Sequence, residues 1–189
     1  LCAPSGCGLR GAMTTLTNAL GGVGVVAHED VEDVLCELED TREALRLKGV
    51  YKPDDVKVWK PSMYDITWNL ARSEVTQLWE RAASRVLQRL DNTDKPIRLL
   101  SCHLTYYGGR RTEFYSPLNA SMLSSSTVVP SHVLLLIDDV YDMYVRLASE
   151  GTLFAPEALL KGHMANVADE ERRNLRDLSL AHNLDICTR

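Results

Sequence analysis

The sequence predicts an α/β fold: a three-layer, mostly parallel sheet with helices on both faces and one antiparallel hairpin. Three observations carry that expectation. Short continuous apolar runs, VGVV (23–26) and VLLLI (133–137), have the composition of buried parallel strands. They alternate with amphipathic stretches whose apolar residues recur at helical spacing, and such alternation favours a parallel sheet. One stretch, 96–117, instead alternates around Gly108-Gly109, the pattern of a β-hairpin whose turn needs positive φ twice.

Each element follows from its own residues. Met13, Leu16 and Leu20 set a helix over 9–20, which Gly21-Gly22 ends. The strand 23–26 then runs to His28-Glu29-Asp30. Val31, Val34, Leu35, Leu38 and Leu45 form the stripe of a helix over 31–47. A Pro-punctuated stretch follows, with Val56 and Val58 as a short strand, and then a long helix over 66–91; together 48–95 read as a helical insertion. The hairpin takes 96–115, with Ile97–Tyr107 and Arg110–Tyr115 as its strands, and a Ser-rich loop covers 116–132. The strand 133–137 leads at once into a helix, a charged helix runs over 165–182, and LDICT (184–188) begins a last strand.

With 189 residues, the chain fits one domain, 1–189, long enough to bury a core. Hydrophobic residues at 45% and charged residues at 25% are globular values, so disorder is not the expectation. A net charge of -5 argues against broad nucleic-acid or anionic-membrane binding. No apolar run reaches the roughly 18 residues of a membrane span. The five cysteines form no CxxC pair, which fits thiols in a reducing cytoplasm better than a zinc site. The start without Met and the finish in a strand lead us to expect a piece of a longer chain, with other domains of that chain as partners.

Two nucleotide fingerprints overlap at the front. Gly6, Gly8 and Gly11 satisfy GxGxxG, with Glu29 and Asp30 about twenty residues on, as in a dinucleotide site. That pattern would suit a Rossmann-like NAD or S-adenosylmethionine enzyme. However, the next convincing strand lies too far along the chain for a short crossover. The other pattern is APSGCG before a helix, joined by VLLLIDD further on. APSGCG resembles the GPSGCGKST form of the Walker A motif of P-loop NTPases, many of them nucleotide and nucleoside kinases, and VLLLIDD resembles their Walker B strand. The helical insertion resembles the substrate-binding helices of the same kinases.

That resemblance implies ATP or GTP and Mg²⁺ as cofactors, with a small phosphoryl acceptor as partner. It puts Ser5, Gly6, Cys7, Gly8 and Gly11 around the phosphates, where backbone N–H groups and a helix N-terminus cradle oxygens. Asp138 and Asp139 become catalytic, Asp138 also as the metal residue. The chain departs from the pattern at three places: Ala3 replaces the first Gly, Leu9 stands at the lysine position, and Arg10 stands where a Ser or Thr ligates magnesium. Arg10 is then the candidate replacement cation, although its planar fork differs from an ammonium. Glu29, Asp30, Arg110 and Arg111 are candidates for substrate binding.

Each residue also has a plainer role. Asp139 and Asp30 suit helix N-caps, and the arginines suit a solvated surface. If the plain roles hold throughout, the domain is a catalytically inactive nucleotide-binding or scaffold module of a larger protein.

Overall fold

The structure is a computed structural model that describes residues 1–3, 7–50, 59–103, 106–108, 113–116, 131–136, 142, 145 and 185–188. Within them the chain mixes helix and strand in the α/β manner. The elements are α1 (Leu9–Ala19), β1 (Val26–Asp30), α2 (Val31–Glu37), α3 (Glu39–Leu47), α4 (Met63–Asn69), α5 (Arg72–Asp91), β2 (Ile97–Ser101), β3 (Tyr106–Gly108), β4 (Glu113–Tyr115), β5 (His132–Leu135) and β6 (Asp185–Thr188).

β1 and β2 pair in parallel, Val26 opposite Ile97 and Asp30 opposite Ser101. β5 and β6 also pair in parallel, His132 opposite Asp185. The segment Leu1–Ala3 joins these pairs. Cys102 N donates to Leu1 O at 3.1 Å, Cys2 N donates to Leu134 O at 2.8 Å, and Leu136 N donates to Cys2 O at 2.8 Å. Cys2 thus bridges Cys102 on one side and Leu135 on the other, both in parallel. Read across, the order is β1, β2, Leu1–Ala3, β5, β6.

Several elements differ from the sequence expectation, each for a local reason. The second strand is Val26–Asp30 rather than 23–26, because Gly21 (φ 110°) and Gly22 (φ 75°) prolong the turn. Val25 N and Val26 N both donate to Gly22 O, which keeps Val23 and Gly24 inside that turn. The helix expected over 31–47 breaks at Leu38, whose backbone is extended and whose side chain is 1% exposed. An inward-facing leucine at the break lets α2 and α3 both reach the core.

The helix expected over 66–91 divides as well. α4 starts three residues earlier behind a Ser62–Asp65 capping box, and extended Leu70-Ala71 separates it from α5. Glu74 Oε2 accepts from Ala71 N at 2.7 Å and fixes the second start.

The hairpin is shorter than expected. Its strands are β3 and β4, with Gly108 opposite Glu113, so four residues connect them instead of a two-residue turn. Ile97–Ser101 goes to the parallel sheet, where its backbone pairs with β1. The expected strand at Val56 and Val58, the loop 117–130 and the helix 165–182 lie outside the described residues. Asp142 and Val145 are helical, in line with a helix after β5.

Among the described residues, buried apolar side chains form two clusters. The larger joins α2, α3, α4 and α5 to the strands through Val31, Leu35, Leu45, Ile66, Trp79 and Val86, and it includes Cys2, Cys102, Val133 and Leu135. The smaller holds Ala3 with Leu9 and Met13 of α1, and Leu1, Cys7, Leu99 and Leu136 pack against it. No described helix is long and apolar enough to cross a membrane.

Candidate functional site

The carboxyl ends of the strands are where open α/β sheets bind ligands, most often where successive connections leave in opposite directions. Here the chain leaves Leu1–Ala3 towards β1 on one side, while β5 pairs onward with β6 on the other. The connections therefore part between Leu1–Ala3 and β5. The glycine-rich bend follows the first of these segments, and Asp138 is two residues along the chain from Leu136, which bonds Cys2.

At the bend, Gly8 caps α1 with φ 70° and ψ 33°, a left-handed conformation natural to glycine. Among the described residues no side chain caps this helix, and the first-turn N–H groups of a helix have no partner within the helix itself. A Cβ on Gly8 or Gly11 would meet nothing within 4 Å among the described residues beyond its chain neighbours and the helix backbone. These features fit an oxyanion held by main-chain donors, as a nucleotide phosphate would be. The metal half fits less well among the described residues. Leu9 is buried in the smaller cluster, and Thr14 Oγ1 donates to Arg10 O at 3.0 Å.

Arg10 leaves the first turn of α1 and binds Asp33 of α2, Nη2 to Oδ1 at 2.6 Å. Lys60, which sequence reasoning missed, approaches the same Oδ1 at 3.5 Å and Glu37 Oε1 at 3.2 Å. Burial works to lower the Lys60 pKa, but its hydrogen bonds to Glu37 and Asp33 and their charges hold it above its ordinary value. No local motif marks Lys60; its role depends on where the chain before α4 returns.

Glu29 and Asp30 are brought to the carboxyl end of β1 and already have partners. Glu29 Oε2 accepts from Arg89 of α5 at 3.0 Å. Asp30 Oδ1 caps α2 by accepting from Asp33 N at 3.0 Å, the role expected of an Asp before a helix. Its Oδ2 accepts from Ser101 Oγ at 2.5 Å. With that hydroxyl hydrogen committed, Ser101 Oγ accepts from His28 Nε2 at 3.0 Å, which requires the proton on Nε2. Burial lowers the His28 pKa, more than Asp30 and Glu29 raise it. His28, Ser101 and Asp30 form a polar chain across β1 and β2 that no sequence motif marks, because Ser101 comes from a segment far along the chain.

A second polar group lies inside the larger cluster. Glu32 is 7% exposed, and its Oε1 accepts from the Tyr106 hydroxyl and, at 2.9 Å, from His103 N. Tyr106 in turn accepts from Trp79 Nε1 at 3.2 Å. Burial pushes the Glu32 pKa up, but the His103 charge and the hydrogen bonds outweigh it and hold the carboxyl below its ordinary value. Burial also raises the Cys36 thiol to about 12, so it stays protonated and inert at neutral pH.

Of the residues expected to bind phosphate, Cys7, Gly8 and Gly11 are described and stand together at the start of α1. Ser5, Gly6, Arg110, Arg111, Asp138 and Asp139 lie outside the described residues. Among the described residues, no group of three His, Cys, Asp or Glu side chains is arranged to hold a metal ion. The chain matches no protein-family model and no curated relative.

Proposed function

We propose that the chain is a nucleotide-binding P-loop-like domain, a three-layer α/β unit that takes ATP or GTP with Mg²⁺ at the carboxyl ends of Leu1–Ala3 and β5. The observation that carries this reading is the hydrogen bond from Leu136 N to Cys2 O at 2.8 Å. It makes the segment that enters the glycine bend and the segment that enters Asp138-Asp139 immediate neighbours. The start of α1, left-handed at Gly8 and without a side-chain cap among the described residues, supports the same reading. So does the division of alternate strand residues between clusters: Ala3, Leu99 and Leu136 go with α1, while Cys2, Leu100 and Leu135 go with α2 and α5.

The strand order bears on the Rossmann-like alternative. A dinucleotide fingerprint needs its acid at the end of the strand beside the glycine loop. Here β2 separates β1, with Glu29 and Asp30, from Leu1–Ala3.

The chemistry we assign is phosphoryl transfer to a small acceptor of nucleotide or nucleoside type, bound on the β1 and β2 side. A second reading, nucleotide binding without turnover, has one specific observation in its favour: Leu9 occupies the lysine position as a core residue, 7% exposed.

Isothermal titration with ATP and Mg²⁺ tests the proposal. We expect a binding heat that Asp138→Ala diminishes. Absence of heat with both ATP and GTP would leave a scaffold domain. Phosphate transfer to nucleoside or nucleoside-monophosphate acceptors separates the first reading from the second.

A further inference from the structure

A P-loop that lacks its lysine lacks the point charge that normally meets the outer phosphates. Leu9 cannot supply it, and Arg10 is held by Asp33. The second cation on that same carboxylate oxygen comes from a distant part of the chain. Lys60 Nζ lies 3.5 Å from Asp33 Oδ1 and 3.2 Å from Glu37 Oε1. A guanidinium and an ammonium thus crowd one oxygen atom, with Arg10 rooted in the first turn of α1 and Asp33 in the first turn of α2.

We propose that Lys60 and Arg10 form a two-cation clamp for the outer phosphoryl groups of a nucleoside triphosphate, with Asp33 as the stand-in anion that the phosphate displaces. The proposal rests on the nucleotide reading of this end of the sheet and names the residue that replaces the missing lysine.

Energetics favour the exchange. The side chains of Arg10, Lys60 and Asp33 are 83%, 48% and 40% exposed, so each ion pair is a surface pair and costs little to open. A triphosphate brings more charge and more oxygens than one carboxylate. It can take the Arg fork in bidentate fashion and the Lys as a point charge at once. Glu37 stays behind as a tether that keeps Lys60 near its place before α4. The two cations divide the labour that a P-loop lysine does alone: Arg10 fixes geometry and Lys60 adds charge.

The test is isothermal titration of the full chain with Mg²⁺-ATP and, separately, with inorganic tripolyphosphate. Lys60→Ala and Arg10→Ala should each weaken both ligands about tenfold, the effect of one lost charge-assisted hydrogen bond. Lys60→Arg should retain most of the affinity, and Asp33→Asn should strengthen it by removing the competing anion. All three sites are on the surface, so unchanged melting temperatures establish that the fold is intact.

If the wild type binds ATP and Lys60→Ala binds it equally well, the clamp is wrong and the nucleotide reading stands. If the wild type and Asp33→Asn bind neither ligand, both fall. Tight binding of tripolyphosphate with no gain from ATP would keep the clamp and remove the nucleotide.

Discussion

The two clusters of buried residues put the stabilising core and the proposed nucleotide site on different parts of the described structure. Around α1 the buried set is small, Ala3, Leu9 and Met13, and the residues above it are an open glycine bend and exposed ion pairs. Around α2 and α5 the set runs from Val31 to Leu135 and takes in Trp79, Leu35 and Ile66, all 2% exposed or less. Polar groups follow the same division. Arg10, Asp33 and Lys60 are accessible and exchangeable, whereas Glu32 and Tyr106 are buried and hydrogen-bonded to each other. A binding site needs groups that can change partners at low cost. A core needs groups that cannot.

The strongest way to break that contrast is to remove volume from the larger cluster. Leu35→Ala, at a residue with 0% exposure, should cost about 2–5 kcal/mol, a large share of the roughly 5–15 kcal/mol that stabilises a domain. Urea unfolding followed by tryptophan fluorescence measures it. A loss under about 1 kcal/mol would mean that α2 is only loosely attached to the sheet.

Comparable in size is the effect of removing the buried carboxyl. Glu32→Ala strands the Tyr106 hydroxyl and the His103 N–H, and should cost roughly 3–5 kcal/mol at neutral pH. The pH dependence has a definite sign. Glu32 has its folded pKa below the ordinary 4.5, so its contribution is fully present above 4.5 and is lost as pH falls through the folded value. His28 is also lowered, from 6.5: below that value the unfolded state takes up the proton first and stability falls with acid. Stability should therefore decline in two stages on acidification, an upper one that His28→Asn removes and a lower one that Glu32→Gln removes. A profile flat from pH 7 to 4.5 would contradict the His28 assignment, and the absence of any further loss below 4.5 would contradict that of Glu32.

These tests also show which parts of the fold could be read in advance. Helix α1, the parallel strand at 132–135 and the final strand were legible because continuous apolar runs and helical stripes depend on local residues alone. The bounds of β1 are not legible because VAHED carries polar residues and has neither an apolar run nor a clean alternation. Breaks at Leu38 and Leu70 were invisible: both leucines fit the helical stripe, and the backbone turns there because neighbouring caps and the core require it. The site was half legible. The glycine bend and the acidic cap at Asp30 are written in short motifs. Lys60 beside Arg10, and Ser101 between His28 and Asp30, exist only once segments far apart in the chain meet.

A smaller effect probes the bend directly. Gly8→Ala places a Cβ that meets no described residue beyond its chain neighbours within 4 Å, so the expected penalty is conformational. Holding alanine at φ 70° costs about 1–2 kcal/mol. Thermal unfolding should register that loss, and nucleotide titration should register a further weakening, because the bend aims the first N–H groups of α1. If stability falls while affinity for ATP does not, the bend is a turn and nothing more.

The smallest effect separates decorative charge from functional charge. Arg81 and Asp40 meet at 2.6 Å, as close as Arg10 and Asp33, and their side chains are 59% and 49% exposed. Both are surface pairs, so Arg81→Ala and Arg10→Ala should each change stability by less than about 1 kcal/mol. Distance and exposure do not distinguish them; location does. Arg81 lies midway along α5, and its removal should leave nucleotide and tripolyphosphate titrations unchanged, whereas Arg10 belongs to the first turn of α1 and its removal should weaken both. Equal effects of the two substitutions on binding would mean that the protein attracts phosphate through its general surface charge. With a net charge of -5 that outcome would itself be hard to sustain, since the bulk field repels anions and only a local arrangement of cations and N–H donors can overcome it.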